Sequence, residues 1–328
     1  MPVRVALDAM GGDFAPTEAV RGALEAASDD LHVILFGDVN RLAPLLAESP
    51  LNPNVSIVAT SQEVAMHDHP VEAFRKKPDS SLRRAIEAVR RGDADAAVSA
   101  GNTGAAMTAA LLTLGAMDGV ERPAIGAMLP TSTGKTLLID AGANVDCDPV
   151  NLCQFALMGS IYVHAAWDKV SPVVGLLNIG EEPSKGNALA KATFQRLKSS
   201  GLNFMGNVEA RELFAGKVDV TVCDGFAGNV LLKAGEGVAE MIHRALRELA
   251  PEIGSDTVNQ TLLRLRGKMD YAVYGGAPLL GLNGLCFIAH GRSHAPAIAS
   301  ALMAAAHCAS SGVVSQIREQ IERHRSDP

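Results

Sequence analysis

The chain has 328 residues, of which 48% are hydrophobic and 20% charged, and its net charge is −7. This length and apolar content are enough to bury a full core, so the chain need not be disordered. The acidic balance argues against a protein that presents a basic field to nucleic acid, so no nucleic-acid partner is expected. The five cysteines form no C-x-x-C pair, and the N-terminus lacks a signal-peptide pattern, so a reducing cytoplasm is expected.

Along the chain one pattern recurs: a short apolar run ends in a small or acidic residue, and a glycine-containing loop and a helical pattern follow. Near-continuous apolar runs are typical of strands covered on both faces, and their alternation with helices indicates right-handed crossovers. The sequence therefore predicts an α/β fold, a mainly parallel Rossmann-like α/β/α sandwich. The runs lie at 3–13, 32–38, 95–104, 136–144, 173–187, 218–229 and 284–293.

Two stretches need separate interpretation. Residues 123–140 hold two apolar runs joined by a short polar turn, which predicts an antiparallel hairpin within the sheet. Residues 98–117 are uncharged, but their glycines and asparagine favour strand, loop and helix over a membrane span.

No linker or low-complexity segment divides the chain, so a single domain over 1–328 is expected.

In such a fold, ligands bind beyond the carboxyl ends of the strands, where the glycine-containing loops meet. In "SAGNTGAA", Gly101 and Gly104 allow close approach to the backbone, and Asn102 and Thr103 offer polar groups at a helix start. A helix start of this kind suits a phosphate, although the same residues also suit a plain N-cap with a glycine turn. The chain has neither G-x-G-x-x-G nor G-x-x-x-x-G-K-[ST], so a nucleotide lacks its usual motif.

The first glycine turn, "DAMGGD", carries an acid on each side. Two carboxylates beside a phosphate would repel it unless they are paired. We therefore expect Asp8 and Asp13 to hold neighbouring loops and a lysine in place, and Gly11 and Gly12 to let the chain turn closely past the ligand.

Five further residues are candidates for catalysis. Lys185 in "EEPSKGN" precedes a helix and could neutralise phosphate or an oxyanion. Asn229 and Lys233 share one helix face, while Asp224 and His290 follow predicted strands. Each also has a plain structural interpretation, such as a solvated lysine or a hydrogen-bonded histidine. No metal-ligand cluster is visible, so no metal and no cofactor are expected.

An amphipathic segment lies at about 250–270. Its apolar stripe and the basic residues within it have two interpretations, a helix packed on the core or a surface that docks an acidic carrier protein or an anionic membrane. The residues concerned are Val258, Leu262, Leu265, Arg264, Arg266 and Lys268.

Seven motifs, among them "ALDAMGGDFAP", "VSAGNTGAAM", "LIDAGANVDCDP", "GLLNIGEEPSKGN" and "YGGAPLLGLNG", resemble the bacterial phosphate acyltransferase family, PlsX. They occur in the family's order from Val3 to about Ala309, which is far more specific than any one motif. The resemblance implies transfer of a fatty acyl group from acyl carrier protein to inorganic phosphate, giving acyl phosphate for a membrane glycerol-3-phosphate acyltransferase in phospholipid synthesis.

The resemblance also implies a fold related to phosphotransacetylases and to isocitrate and isopropylmalate dehydrogenases, a homodimer, and a cytoplasmic protein peripherally associated with the membrane. In that context the segment at 250–270 is expected to face membrane or carrier. Two alternatives stay open: a short-chain phosphotransacetylase that uses CoA, and a non-catalytic membrane scaffold for lipid-synthesis enzymes.

For this reaction the candidate residues are assigned the following roles. The "GNTG" loop holds phosphate, with Lys185 as its counter-charge. Asn229 or Lys233 stabilises the oxyanion, and Asp224 or His290 positions or exchanges a proton.

Overall fold

The computed structural model describes residues 2–50, 52–256, 258–262 and 275–326. The chain forms two compact units, each assembled from separate stretches of sequence. The first contains Met1–Ile125, His164–Lys169 and Tyr274–Pro328, and the second contains Gly126–Val163 and Val170–Val273. Because these stretches alternate along the chain, no linker marks the division, and the single domain over 1–328 stays a prediction.

The first unit follows the predicted alternation of strand, loop and helix. Its strands are β1 (Val3–Asp8), β2 (Leu31–Gly37), β3 (Val55–Ala59), β4 (Ala96–Ser99), the start of β5 (Ala124–Thr131), β10 (Ala277–Leu280) and β11 (Leu285–Ile288). Its helices are α1 (Thr17–Ala26), α2 (Val39–Ala47), α3 (Pro70–Lys76), α4 (Ser81–Arg91), α5 (Thr103–Leu114), α11 (Ala295–Ser310) and α12 (Val313–Ser326). The predicted strand, loop and helix over 98–117 is confirmed by β4 and α5.

The strand order in this unit is β3-β2-β1-β4-β11-β10-β5, and the five strands from β3 to β11 are parallel. Every residue of β4 is buried, as the continuous apolar run predicts for a strand covered on both faces. Strand β10 runs antiparallel to both of its neighbours. The sheet is therefore mainly parallel, as predicted.

Two pairs of helices cover the strands, with α1 packed against α11 and α4 against α5. Gly22 of α1 makes the first contact close, since a Cβ there would lie 2.8 Å from both the Ala295 oxygen and the Ile298 Cβ. Only a residue without a side chain allows the two helices to approach so closely.

The second unit has the strand order β5-β6-β9-β7-β8. The antiparallel pair of β5 and β6 (Gly134–Ile139) confirms the predicted hairpin, and the other pairings are parallel. The remaining strands are β7 (Val174–Leu177), β8 (Phe204–Val208) and β9 (Val220–Val222). The helices are α6 (Pro149–Trp167, whose last residues belong to the first unit), α7 (Ala188–Lys198), α8 (Ala210–Ala215), α9 (Gly225–Glu248) and α10 (Ala250–Ile253).

An ion pair between Glu212 of α8 and Lys217, just after the helix, makes the stability of this unit depend on pH. Glu212 accepts a hydrogen bond from the Glu209 amide at 3.1 Å and pairs with Lys217. The Lys217 ammonium, helped by the Glu209 amide, lowers the pKa of Glu212 from 4.5 to about 2. A depressed folded pKa stabilises the folded state above the unfolded value, so this contribution is complete above pH 4.5 and is lost as the pH falls toward 2.

We therefore expect Lys217→Met to lower the melting temperature at pH 7 by about 2 °C, and to lose this effect progressively as the Glu212 carboxylate is protonated toward pH 2. Thermal melts followed by circular dichroism between pH 2 and pH 7 measure this. Lys198→Met, at an exposed lysine in the last turn of α7, is the matched control. Equal effects of the two variants at pH 7 would contradict the prediction.

Candidate active site

In the first unit, three parallel strands end at one edge of the sheet. The register pairs Asp8 of β1 with Ser99 of β4, and Ser99 in turn with Ile288 of β11. The chain runs from β1 outward through β2 and β3 and then returns to β4 on the other side of β1. This reversal creates a crevice beyond the carboxyl ends of β1 and β4, which is where open α/β sheets bind ligands.

Asp8 faces the protein interior at this edge. Its carboxyl is 3% exposed and accepts hydrogen bonds from the Ser81 hydroxyl at 2.5 Å and the Ser99 hydroxyl at 2.7 Å. Burial raises the pKa of Asp8 above its ordinary value, and the two serines oppose that rise. Asp8 thus joins the end of β1 to the end of β4 and to the start of α4. The sequence interpretation missed both serines.

The two glycines after Asp8 let the loops pack directly on one another. A Cβ at Gly11 would lie 2.5 Å from the Asp8 Oδ2 and 2.9 Å from the Gly101 nitrogen. Gly12 has a φ of 109° and lies against the Ala100 and Gly291 oxygens. The expected close turn is therefore present, and it is occupied by the neighbouring loops of the protein itself.

Asp13 contacts a neighbouring loop through its main chain, whereas the expected contact was through its carboxylate. Its backbone N–H donates to the Gly291 oxygen at 2.8 Å, which ties the first loop to the loop after β11. Its carboxylate is exposed and has no hydrogen-bond partner within the described part of the chain. The tie is thus made by the main-chain N–H, which any residue except proline could supply.

The predicted phosphate loop already uses two of its polar groups internally. The Asn102 Oδ1 caps α5 by accepting from the Ala105 amide at 3.0 Å, and the Nδ2 donates to the Met66 and Asp68 oxygens. The Gly101 amide donates to the Ser99 hydroxyl at 3.1 Å. Asn102 is therefore the N-cap that the alternative interpretation described.

The first turn of α5 still has amides available. Among the described residues, the N–H groups of Thr103 and Gly104 have no hydrogen-bond partner. The helix dipole and these open donors favour an anion at this end of α5. The absence of a side chain at Gly104 also lets α5 approach Pro70, since a Cβ there would lie 2.9 Å from the Pro70 Cγ.

His290 follows β11 after one residue, Ala289, and is exposed. Its Nδ1 accepts from the Arg292 amide at 3.1 Å. In the neutral ring this places the hydrogen on Nε2. The next residue, Gly291, accepts from the Asp13 amide and lies near the Ala100 oxygen, which is 3.9 Å from a Cβ placed at Gly291, so the loop of His290 lies beside the loops after β1 and β4.

In the second unit the start of α9 is built around a buried acid. Asp140 accepts from the Asn144 amide at 2.6 Å and from the Gly142 and Ala143 amides. Asp224 caps α9 through the Ala227 amide at 2.8 Å. Asp140 and Asp224 each follow a strand, and each carboxylate accepts from backbone amides of the turn that comes next. Both acids therefore hold the turn after their strand in place.

The two candidates on α9 remain on one helix face. Asn229 lies over Gly142, where a Cβ would be 3.5 Å from the Asn229 Cβ. Lys233 is exposed one turn further along α9. Their roles stay predictions.

Lys185 is held through its main chain. Its amide donates to the Glu182 oxygen at 3.0 Å, and its own oxygen accepts from the Asn178 Nδ2 at 3.2 Å. Asn207, which is 5% exposed, fixes the same Glu182 oxygen from β8 at 2.8 Å. Within the described residues no carboxylate pairs with the exposed Lys185 ammonium. Sequence interpretation missed both asparagines.

The expected exposure of the apolar stripe is corrected at the two positions that can be described. Val258 is 1% exposed and Leu262 is 9% exposed, so both side chains are packed inside the chain. Burial of these apolar groups from water is the physical reason, and it agrees with the core-packing interpretation at these positions. Leu265, Arg264, Arg266 and Lys268 lie outside the described residues.

Comparison with known proteins identifies the family. Residues 3–316 match the family described as Fatty acid synthesis protein. The chain is 48% identical over 328 residues to a phosphate acyltransferase of Desulforamulus reducens, with 98% of each chain covered. The chain belongs to the phosphate acyltransferase family, PlsX. Another phosphate acyltransferase, of Pelotomaculum thermopropionicum, is 46% identical, with 98% of this chain and 95% of the relative covered.

Solved structures confirm the α/β fold class of this phosphate acyltransferase family member. EutD phosphotransacetylase from Staphylococcus aureus has a TM-score of 0.61 at 16% identity, with 94% of each chain covered. A 4-hydroxythreonine-4-phosphate dehydrogenase from Klebsiella pneumoniae has a TM-score of 0.55 at 14% identity, with 94% of this chain and 100% of that chain covered. At these identities the likeness shows the fold alone, and the predicted relation to phosphotransacetylases is confirmed.

In the described part of this family member, no single helix is both long and apolar enough to cross a membrane. The helices 295–310 and 313–323, bent by 51°, meet that criterion only as a pair.

Proposed function

We propose that this protein transfers a long-chain fatty acyl group from acyl carrier protein to inorganic phosphate, and that the acyl phosphate serves phospholipid synthesis. The observation that carries the proposal is 48% identity to a phosphate acyltransferase over essentially the whole of both chains. In the reaction a phosphate oxygen attacks the thioester carbonyl, a carbon–oxygen bond forms and the carbon–sulfur bond breaks. The products are acyl phosphate and the carrier thiol, whose sulfur takes up a proton.

The phosphate nucleophile must be desolvated and oriented before it can attack. The open amides of Thr103 and Gly104 support an anion site at the start of α5. In this proposal Gly101 and Asn102 shape the loop, because the Gly101 amide and the Asn102 side chain are already bonded within the protein. A phosphate there would meet the positive end of the helix dipole.

The other candidate residues take the remaining roles. Lys185 supplies the counter-charge, and Asn229 or Lys233 stabilises the oxyanion. Asp224, which also caps α9, or His290 positions or exchanges the proton.

The experiment compares donors. Purified protein receives palmitoyl-acyl carrier protein or acetyl-CoA, each with and without inorganic phosphate, and free thiol is measured. We expect thiol release only when the long-chain carrier substrate and phosphate are both present. Phosphate-dependent release from acetyl-CoA alone would instead identify a short-chain phosphotransacetylase, and no release from either donor would fit a scaffold.

Homodimer formation and contact with an anionic membrane belong to the same proposal. The described part of α9 supports a partner surface, since Phe226, Val230 and Met241 are large apolar side chains that remain exposed. Sedimentation at micromolar protein would detect the dimer. Hand-over of product to a membrane glycerol-3-phosphate acyltransferase would follow from the membrane contact.

The basic residues of the predicted stripe make the membrane contact testable. Replacing Arg264, Arg266 and Lys268 together with glutamine should weaken binding to anionic vesicles by at least tenfold, at about 1 kcal/mol for each charge. Binding to neutral vesicles is the control. Unchanged binding to anionic vesicles would remove these residues from the proposal. Leu262→Glu is unsuitable for this purpose, because Leu262 is buried and the variant is expected to destabilise the fold.

A further inference from the structure

We propose that Ser99 is a positioning residue for the phosphate nucleophile. The inference rests on the proposed function and deepens it. The Ser99 hydroxyl is 1% exposed and lies between the Asp8 Oδ2, at 2.7 Å, and the Gly101 amide, at 3.1 Å. It is therefore the link between a buried acid and the loop that leads into α5.

The direction of this link is fixed by chemistry. The Asp8 carboxylate receives one serine hydroxyl on each of its oxygens, Ser81 on Oδ1 and Ser99 on Oδ2. A hydroxyl has one hydrogen and two lone pairs, so Ser99 donates to Asp8 and accepts from the Gly101 N–H. The acid therefore orients the serine, and the serine orients the amide.

The Gly101 amide has little freedom to point elsewhere. Its nitrogen would lie 2.9 Å from a Cβ at Gly11, which shows how closely the first loop covers it. The hydrogen bond from this amide to Ser99 fixes the backbone direction at Gly101, and therefore the position of Asn102, the N-cap of α5. The amides of Thr103 and Gly104 then follow at the start of the helix, where they have no partner among the described residues. Loss of the Ser99 hydroxyl should therefore change the orientation of the Gly101 amide, and with it the positions of the Thr103 and Gly104 amides.

Ser81 provides the matched comparison. It is also 1% exposed and also donates to Asp8, at 2.5 Å. Within the described residues, however, its hydroxyl contacts no amide of the phosphate loop. Ser99→Ala and Ser81→Ala each remove one serine from the same carboxylate, and only the first removes the tether on Gly101.

The test measures KM separately for phosphate and for palmitoyl-acyl carrier protein, and the dissociation constant of inorganic phosphate by calorimetry. We expect Ser99→Ala to raise both phosphate constants about five- to tenfold, as loss of a hydrogen bond predicts, with the KM for the carrier substrate unchanged. Ser81→Ala should raise the phosphate constants about twofold or less. If Ser99→Ala does not fold, Ser99→Cys, which keeps the volume and weakens both hydrogen bonds, takes its place under the same criterion.

Equal phosphate constants for the two variants, or an equal rise in KM for both substrates, would overturn the role of Ser99. Failure of the proposed function looks different, because the wild-type protein would then form no acyl phosphate. In that event calorimetry with inorganic phosphate still compares the two variants, and equal affinities would again overturn the role.

Discussion

Lys185→Ala is expected to lower kcat/KM for phosphate by about 100-fold, the scale seen when one charged or hydrogen-bonding group is removed from a transition state. The Lys185 main chain is held at both its amide and its oxygen, by the Glu182 oxygen and the Asn178 side chain. Its ammonium is exposed and unpaired within the described residues. A fixed backbone with an uncompensated charge is the arrangement expected of a residue that meets an anion.

The control for this prediction is Lys191→Ala, at another exposed lysine on α7. Both variants should melt at the wild-type temperature, since neither lysine is buried. Steady-state kinetics with varied phosphate measure the difference. Near-normal kcat and phosphate KM in Lys185→Ala would show that this lysine is an ordinary surface charge.

Gly228→Ala is expected to be strongly destabilising. A Cβ at Gly228 would lie 1.9 Å from the Asp140 oxygen and 3.0 Å from the Cys223 sulfur. The clash is with main chain, and Asp140 is buried and bonded to three amides of its loop, so α9 itself must move. Overpacking of this kind costs about 3 kcal/mol, or about 6–12 °C in melting temperature.

Gly237 of the same helix gives the matched control. A Cβ there would have no atom within 4 Å, so Gly237→Ala adds a methyl group in open space. Alanine also favours the helix over glycine by about 1 kcal/mol, which should leave the melting temperature unchanged or raised. Thermal melts of both variants measure the contrast, and equal melting temperatures would show that α9 does not depend on close approach to Asp140.

The strands that begin each loop could be predicted because their apolar runs are short and are followed by glycine. Three strands escaped prediction: β3 is a short apolar run but no glycine follows it closely, and β8 and β10 lack such a run. Strand β8 includes the exposed Met205 and is interrupted by Gly206 and Asn207. Strand β10 follows two glycines and contains Pro278. Glycine and proline together are typical of a turn, so this stretch did not predict a strand. The division into two units escaped as well, because their segments alternate along the chain.

The site could be predicted as a set of loops but not as a set of contacts. Asp8 and Ser81 are 73 residues apart, so no local spacing indicates that they are hydrogen-bonded. Asn102 shows a different limit, since an asparagine before a helix looks the same whether it caps the helix or binds a ligand. Only its three contacts, with Ala105, Met66 and Asp68, assign it to the cap.

In the proposed reaction, phosphate is the acyl acceptor. ³¹P nuclear magnetic resonance of the purified protein with palmitoyl-acyl carrier protein and inorganic phosphate tests it most directly. We expect a new acyl phosphate resonance that grows in equal amount with free carrier thiol. Thiol release at the same rate without phosphate, and with no new phosphorus resonance, would contradict it.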